Sequence, residues 1–444
     1  MSEGHLLLRI EYDKESRISK ILQFVLFFLI YVAIRYAYPA FFPHYGNQSF
    51  TVKLEAVRII IGIIGVICIW FTSKKEYKIY IQNNRISAAI TFFLNFIYFL
   101  PGIYMCMIYD RQLDYAILFI VYTILFNIIM IAFARKEIKP FNHIFSERDT
   151  TIICVVLAVI MLVASLFLSG FKLNFLNVFN QSEVYQTRLE NDMTVSHYIM
   201  WYFIIFGAAI IPTWLVIALR KKQYYIAILY TITVFAMYSV SCNRQFLFTL
   251  AFAYVAFFFR NNKRLLYLIF LGIWGLVQIE YLAGHGYLWS DILRRISLVP
   301  NVNAAFHVDF FMKNEPDFLR QALNMYANRL GFTSPYSEKI AVIIGRMYFG
   351  TTINANTGLL GGNFANYGIL GVIIGPLLYA ISFRILDKIF SNVQYRDVML
   401  ATAMVISIFV TNNESWLELI ITPSWILFYY ISLVFIPTNG IDFD

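Results

Sequence analysis

Long apolar runs recur along this 444-residue chain, separated mostly by short polar connections, and each run must find surroundings that tolerate it. A helix needs about 20 apolar residues to cross the hydrocarbon core of a bilayer. Runs near 19–41, 56–72, 86–108, 115–133, 150–170, 197–219, 223–240, 244–260, 264–281, 364–384, 397–412 and 418–435 reach or approach that length. They are continuous and do not alternate, which argues for helices and against a barrel. Only 14% of the residues are charged and 60% are hydrophobic, too little charge to cover a soluble surface. The sequence therefore predicts an all-α polytopic membrane protein with about twelve transmembrane helices.

The connections test that count, because Lys and Arg concentrate on the cytoplasmic side. The leader carries Arg9, Lys14, Arg17 and Lys20, and no cleavable signal peptide is expected, since the first apolar run is itself long enough to span. Lys74, Lys75, Lys78 and Arg85 follow the second run. Arg135, Lys136, Lys139 and Arg148 follow the fourth, and Arg220, Lys221 and Lys222 the sixth. Arg260, Lys263 and Arg264 follow the eighth, and Arg384, Lys388 and Arg396 the tenth. The odd connections are poor in Lys and Arg, except for one long one. This alternation predicts a multi-pass membrane protein with both termini cytoplasmic. The net charge of +9 is then a topology signal, and no nucleic-acid partner is expected. Cys68, Cys106, Cys154 and Cys242 have no CxxC spacing and read as small apolar fillers.

Three units follow: residues 1–281 with nine spans and an outer loop at 171–196, a large outer loop at 282–363, and residues 364–444 with three spans. The outer loop at 171–196 holds Tyr185, Arg188, Glu190 and Asp192, and Arg244 sits at an outer turn. The long loop holds Arg294, Arg295, Lys313, Arg320, Arg329, Lys339 and Arg346. It is rich in aromatic and aliphatic residues, so an ordered cap of short helices is expected rather than a linker. Asn314-Glu315-Pro316 reads as a helix start, with Phe318, Leu319, Ala322, Leu323 and Tyr326 on one amphipathic face and Gly331 past the end. Ser334-Pro335 reads as the start of a second helix through about Arg346.

A basic outer surface beside the bilayer suits an anionic lipid head group, and arginine binds phosphate oxygens bidentately. A diphosphate leaving group needs its developing charge stabilised by a metal or by fixed cations. No outer carboxylate cluster has clear metal-ligand spacing, so no metal or cofactor is expected, and arginine rather than a metal is the expected stabiliser. Glu190, Asp192, His307, Asp309 and Glu414 are the acid/base candidates. Each has a plainer reading. Arg294 and Arg295 could simply hold anionic lipids, His307 could be a satisfied interfacial histidine, and Asp309 and Lys313 could be an ordinary i, i+4 pair. Arg35 reads as a snorkelling or internally paired cation. The glycines from Gly358 to Gly368 follow no strand, which excludes a dinucleotide loop; they fit a tight helix entry instead.

Tyr348-Phe349-Gly350, Asn354-Ala355-Asn356-Thr357-Gly358 and Gly362-Asn363-Phe364-Ala365-Asn366-Tyr367-Gly368-Ile369-Leu370-Gly371 resemble the segment leading into a late helix of the Wzy-type O-antigen polymerases. Cys242-Asn243-Arg244 resembles that family's polar-arginine helix entry. Arg294-Arg295-Ile296-Ser297-Leu298-Val299-Pro300, then His307 and Asp309-Phe310-Phe311, resembles the start of its large periplasmic loop. The similarity covers roughly 240–375. It implies a metal-independent membrane glycosyltransferase of GT-C-like architecture. Such an enzyme joins undecaprenyl-diphosphate-linked oligosaccharide repeat units into O-antigen or a related surface polysaccharide at the periplasmic face. Implied partners are those lipid-linked glycans, membrane lipids and a chain-length regulator. Arg188, Arg244, Arg295 and Arg346, with Arg294 beside them, would contact diphosphate and glycan. His307 or Asp309 would orient or deprotonate the acceptor hydroxyl. Asn354, Asn356 and Asn366 would contact sugar or shape the loop. An O-antigen ligase using the same donor, and a lipid-linked oligosaccharide flippase, are the competing readings. A sugar-modifying acyltransferase would need a His or Arg motif on an early span that the sequence lacks.

Overall fold

The computed structural model describes residues 3–37, 52–110, 112–138, 147–171, 206–242, 245–262, 264–284, 286, 289–323, 331–392, 396–412 and 416–419. Among them the secondary structure is helical apart from one isolated bridge, Val52 to Tyr109. Eight helices among the described residues are long and apolar enough to cross a membrane. Seven of these spans are Arg17–Ala37 (the apolar end of α1, Glu3–Val32, with its π turn), α2 (Ala56–Asn83), α3 (Ile86–Ile108), α4 (Leu113–Ala134), Thr151–Leu168 (in α5, Glu147–Leu168), α7 (Tyr224–Ser241) and α9 (Leu265–Leu282). The eighth, Leu359–Ile389, comprises α12 (Leu359–Tyr367), a 3-10 turn and α13 (Gly371–Ile389).

These eight answer to the first five, seventh, ninth and tenth expected spans. The sixth and eighth correspond to shorter apolar helices, α6 (Phe206–Arg220) and α8 (Gln245–Phe258). The eleventh is α14 (Arg396–Asn412), 17 residues long, and the twelfth lies outside the described residues past Leu419. At 1.5 Å per residue α14 reaches only about 25 Å, short of the roughly 30 Å core. The chain is a helical multi-pass membrane protein.

Polarity runs inside out. Phe24, Phe28, Ile60, Ile64, Ile160 and Phe167 are exposed on the outer surface, while Gln23, Glu76, Asn95 and Asn127 are buried. Lipid tails are as apolar as a protein core, so outward apolar side chains cost nothing there. The span in α3 is wholly enclosed by its neighbours, its Ser87, Thr91 and Asn95 included. Helices α2, α4 and α14 pack on it, and Phe92, Phe93 and Phe96 meet Phe270 of α9 at ring-centroid distances of 5.0–6.0 Å. Its amino end is held from 300 residues away, because Asp387 of α13 accepts hydrogen bonds from Ser87 N and Oγ at 2.9 and 2.7 Å.

Helix α2 departs from expectation. It continues past residue 72 to Asn83, so Lys74, Lys75 and Lys78 ride on a helix and not in a connection. No breaker lies between 72 and 83; the helix stops where Asn84 turns left-handed at φ 53. Lys74 lies over the Trp70 ring at 4.2 Å, which lets its stem stay on the apolar surface.

The glycine-rich entry behaves as read. Side-chain atoms added at Gly371 or Gly375 would overlap Asn363, and one at Gly361 would press on Ala304. The glycines therefore let α12 fold back closely on α13 and on α10 (Val299–Phe311). Gly368, at φ 57, makes the bend.

Candidate functional site

The segment after α9 begins as a π-helical stretch, Trp289–Leu298, and becomes regular at α10, with Pro300 at its first turn. Far from standing clear of the bundle, it is built into it. Asn301 donates to Tyr98 O at 3.1 Å, and Tyr115 Oη donates to Asn301 O at 3.0 Å. Thr357 donates to Pro300 O at 2.9 Å, and Asn303 to Asn356 O at 2.8 Å. Gly102 leaves room for Asn301, since a side chain there would strike its amide oxygen.

His307 sits on the inward face of α10 at 0% exposure. Its Nδ1 donates to Asn303 O at 2.8 Å, so Nε2 carries the lone pair, and Nε2 has no partner among the described residues. Burial outweighs the help of Asn303 and pushes the imidazole pKa down from 6.5 to about 4. The unfolded chain therefore binds more protons than the folded one between those values, and stability rises with pH across that window. Acidifying from above 6.5 to below 4 is expected to cost about 3 kcal/mol through this residue alone. Thermal unfolding of detergent-purified wild type and His307→Gln checks this: the wild type loses more stability between neutral pH and pH 4. Equal slopes would rule out a neutral buried imidazole.

Asp309, two residues on, faces outward with 16% of its side chain exposed. Tyr348 Oη donates to Oδ2 at 2.6 Å, and Gln112 Nε2 and Lys313 Nζ both donate to Oδ1 at 2.9 Å. Burial raises its pKa, but those hydrogen bonds and the ammonium outweigh it, and the carboxyl is held below its usual range. Tyr348 comes from α11 (Ile340–Phe349) and stacks on Phe306 of α10 at 4.5 Å. This joins two helices of the cap around one carboxylate.

The remaining expected residues divide. Arg294 and Arg295 are half-buried in the π-helical stretch. Arg346 is exposed on α11 and pairs with Glu338 at 2.7 Å. Asn354 and Asn356 are exposed, and Asn366 is buried. Asn366 shapes the loop: Oδ1 accepts from Leu319 N at 3.1 Å, and Nδ2 donates to Gly362 O at 2.7 Å. Arg188, Arg244, Glu190, Asp192 and Glu414 lie outside the described residues. Arg35 stands in the π turn Ala33–Ala37, 5.4 Å from the Tyr36 ring centre.

The expected amphipathic helix from 315 is not formed in its described part. Residues 318–323 make turns, with Phe318 and Leu319 at φ 53 and 63. The end of α12 competes for these amides: Asp317 N donates to Ala365 O, and Phe318 N to Asn366 O. Asp317, almost wholly buried, then accepts from Gln321 N and Ser334 Oγ at 2.7 and 2.6 Å. The second helix starts at Ile340, later than the Ser334-Pro335 reading. Gln321 fixes that start, accepting from Ile340 N and donating to Glu338 O.

Sequence reasoning missed Gln112 and gave Tyr348 no role. It also missed a cluster inside the membrane, where Asn95 Nδ2 donates to Glu76 Oε2 and Asn127 Oδ1, both at 2.8 Å. Asn95 opens a π turn, Asn95–Phe99, in α3. Among the described residues, no three His, Cys, Asp or Glu side chains gather in a way that could hold a metal. Comparison with protein-family models, with curated proteins and with solved structures yields no match to this chain, so its own residues carry the functional reading.

Proposed function

We propose that the chain is a membrane glycosyltransferase that joins undecaprenyl-diphosphate-linked oligosaccharide repeat units into a surface polysaccharide. The observation that carries this reading is the Asp309 carboxylate, kept ionised by Tyr348, Gln112 and Lys313 at the open side of an ordered helical cap. The stretches that resemble the O-antigen polymerases, 294–311 and 348–371, are the ones that build this cap and its junction with α13.

In the proposed step the acceptor hydroxyl oxygen attacks the anomeric carbon of the donor glycan. The bond from that carbon to the diphosphate breaks, and undecaprenyl diphosphate leaves with the electron pair. Asp309 orients the hydroxyl and takes its proton. Arg294 and Arg295, on the stretch that leads into the same helix, stabilise the diphosphate charge. His307 is enclosed and neutral, and it supports α10 from behind.

The test is an assay with purified protein and synthetic diphosphate-linked repeat units, with and without chelator. Wild type is expected to yield a ladder of products insensitive to chelator. Arg295→Ala is expected to lose chain extension, leaving single units. No ladder from any repeat-unit donor would overturn the reading. Transfer to a lipid A-core acceptor, without a ladder, would assign a ligase instead.

A further inference from the structure

A second feature lies at the opposite end of the bundle from Asp309. Helix α2 starts beside Tyr109, near Gln112, and carries Tyr80 and Ile81 in its last turn. There, with the first turns of α9 and α14, it borders a cavity of about 40 Å³. Tyr80, Arg260, Asn262, Leu265, Arg396 and Asp397 are among its lining residues. That volume is well above what one water needs.

Its charge balance is one-sided. Asp397 is already neutralised, because Arg220 Nε donates to both of its oxygens at 2.9 and 2.7 Å. Arg260 and Arg396 have no carboxylate partner among the described residues. Arg260 Nη1 donates only to its own helix at Phe257 O, and its guanidinium lies 4.4 Å from the Phe257 ring centre. Arg396 donates from Nη2 to Ile81 O at 2.8 Å, and Tyr80 Oη in turn donates to Arg396 O at 3.0 Å. These contacts fix the position of both guanidinium groups without discharging them. Asn262 Oδ1 is taken by Arg264 N, which leaves its amide NH₂ to donate. The amino ends of α9 and α14 add positive potential.

We propose that this cavity holds the phosphate of an anionic phospholipid head group. The lipid source is favoured over free phosphate by the apolar wall of Leu265, Leu266 and Leu400 beside the two guanidinium groups. A basic pocket between helix ends at the membrane surface is the usual setting for such a head group. The inference does not depend on the glycosyltransferase reading, since it uses neither Asp309 nor any residue of the cap.

Native mass spectrometry of the full chain, released from vesicles of equal phosphatidylcholine and phosphatidylglycerol, tests the site without any mutation. The expected result is one retained phosphatidylglycerol in preference to phosphatidylcholine. Arg260→Gln and Arg396→Gln are each expected to weaken that retention about tenfold. Arg135→Gln, an exposed arginine of the same end that does not line the cavity, should leave it unchanged. Equal retention of the two lipids, or of phosphatidylglycerol in all variants, would overturn the proposal. So would displacement of the lipid by inorganic phosphate at matched concentration.

Discussion

Asp309→Asn is expected to lower the proposed chain-extension activity by about 10²–10⁴-fold, the contribution of a positioned acid or base. The substitution keeps the shape of the side chain and removes its charge. Asparagine can still accept from Gln112 through its oxygen, but its amide nitrogen cannot accept from Tyr348 Oη. Folding should survive, because the surrounding contacts lie at the edge of the cap. Turnover of purified Asp309→Asn on a synthetic lipid-linked repeat unit gives the answer. Wild-type turnover would remove Asp309 from the mechanism. Tyr348→Phe separates positioning from chemistry. The phenol's hydrogen bond helps keep the Asp309 pKa low, so its loss raises that pKa. The acid limb of the rate profile should then move to higher pH, with a smaller loss at neutral pH. An unmoved acid limb would mean that Tyr348 only packs.

The second large effect concerns stability. Asp397→Ala is expected to cost about 3 kcal/mol, because it removes the buried carboxylate that Arg220 grips through Nε in a mostly buried position. Arg220 keeps 18% of its side chain exposed, which places the cost at the lower end for broken buried pairs. The pair ties α6 to α14, and Thr213 and Thr402 join the same helices with a 3.1 Å hydroxyl contact. Thermal unfolding in detergent should show a clear drop for Asp397→Ala. The double variant Arg220→Met with Asp397→Leu should recover most of it, since no lone charge remains. If the double variant is as unstable as the single one, the ion pair itself supplies the stability.

The spans were legible because apolar length is a local property. Enclosure was not legible: the α5 span is more apolar than that of α3 yet keeps a broad surface toward lipid, while α3, with Ser87, Thr91 and Asn95, is wholly enclosed. What the sequence hid was everything set by distant partners. Gln112 and Asp309 are 197 residues apart, and no spacing rule links them. Pro316 is a fair helix starter, yet the carbonyls at the end of α12 claim the amides of Asp317 and Phe318 first. Glu338 and Lys339 suit a first turn, but Gln321 sets the start of α11 from another segment. His307 and Asp309 were legible as candidates, but not that one faces the interior and the other the open side. Two positions on a helix are about 200° apart, which explains the split once the packing of α10 is known.

The way Asn301 bridges α3 and α4 bears on how the protein is made. Tyr98 and Tyr115 reach the ribosome exit 203 and 186 residues before Asn301, which will engage them through its side-chain amide and its backbone carbonyl. At 5–20 residues per second, that is a wait of roughly 10–40 s. During that interval the notch beside Gly102 stands open in the lipid, with its tyrosines awaiting a neighbour still to be synthesised. Biogenesis should therefore depend on helpers that shield the early helices until the wedge from residues 289–311 arrives. Nascent chains halted before residue 289 should be degraded faster than chains halted after 311.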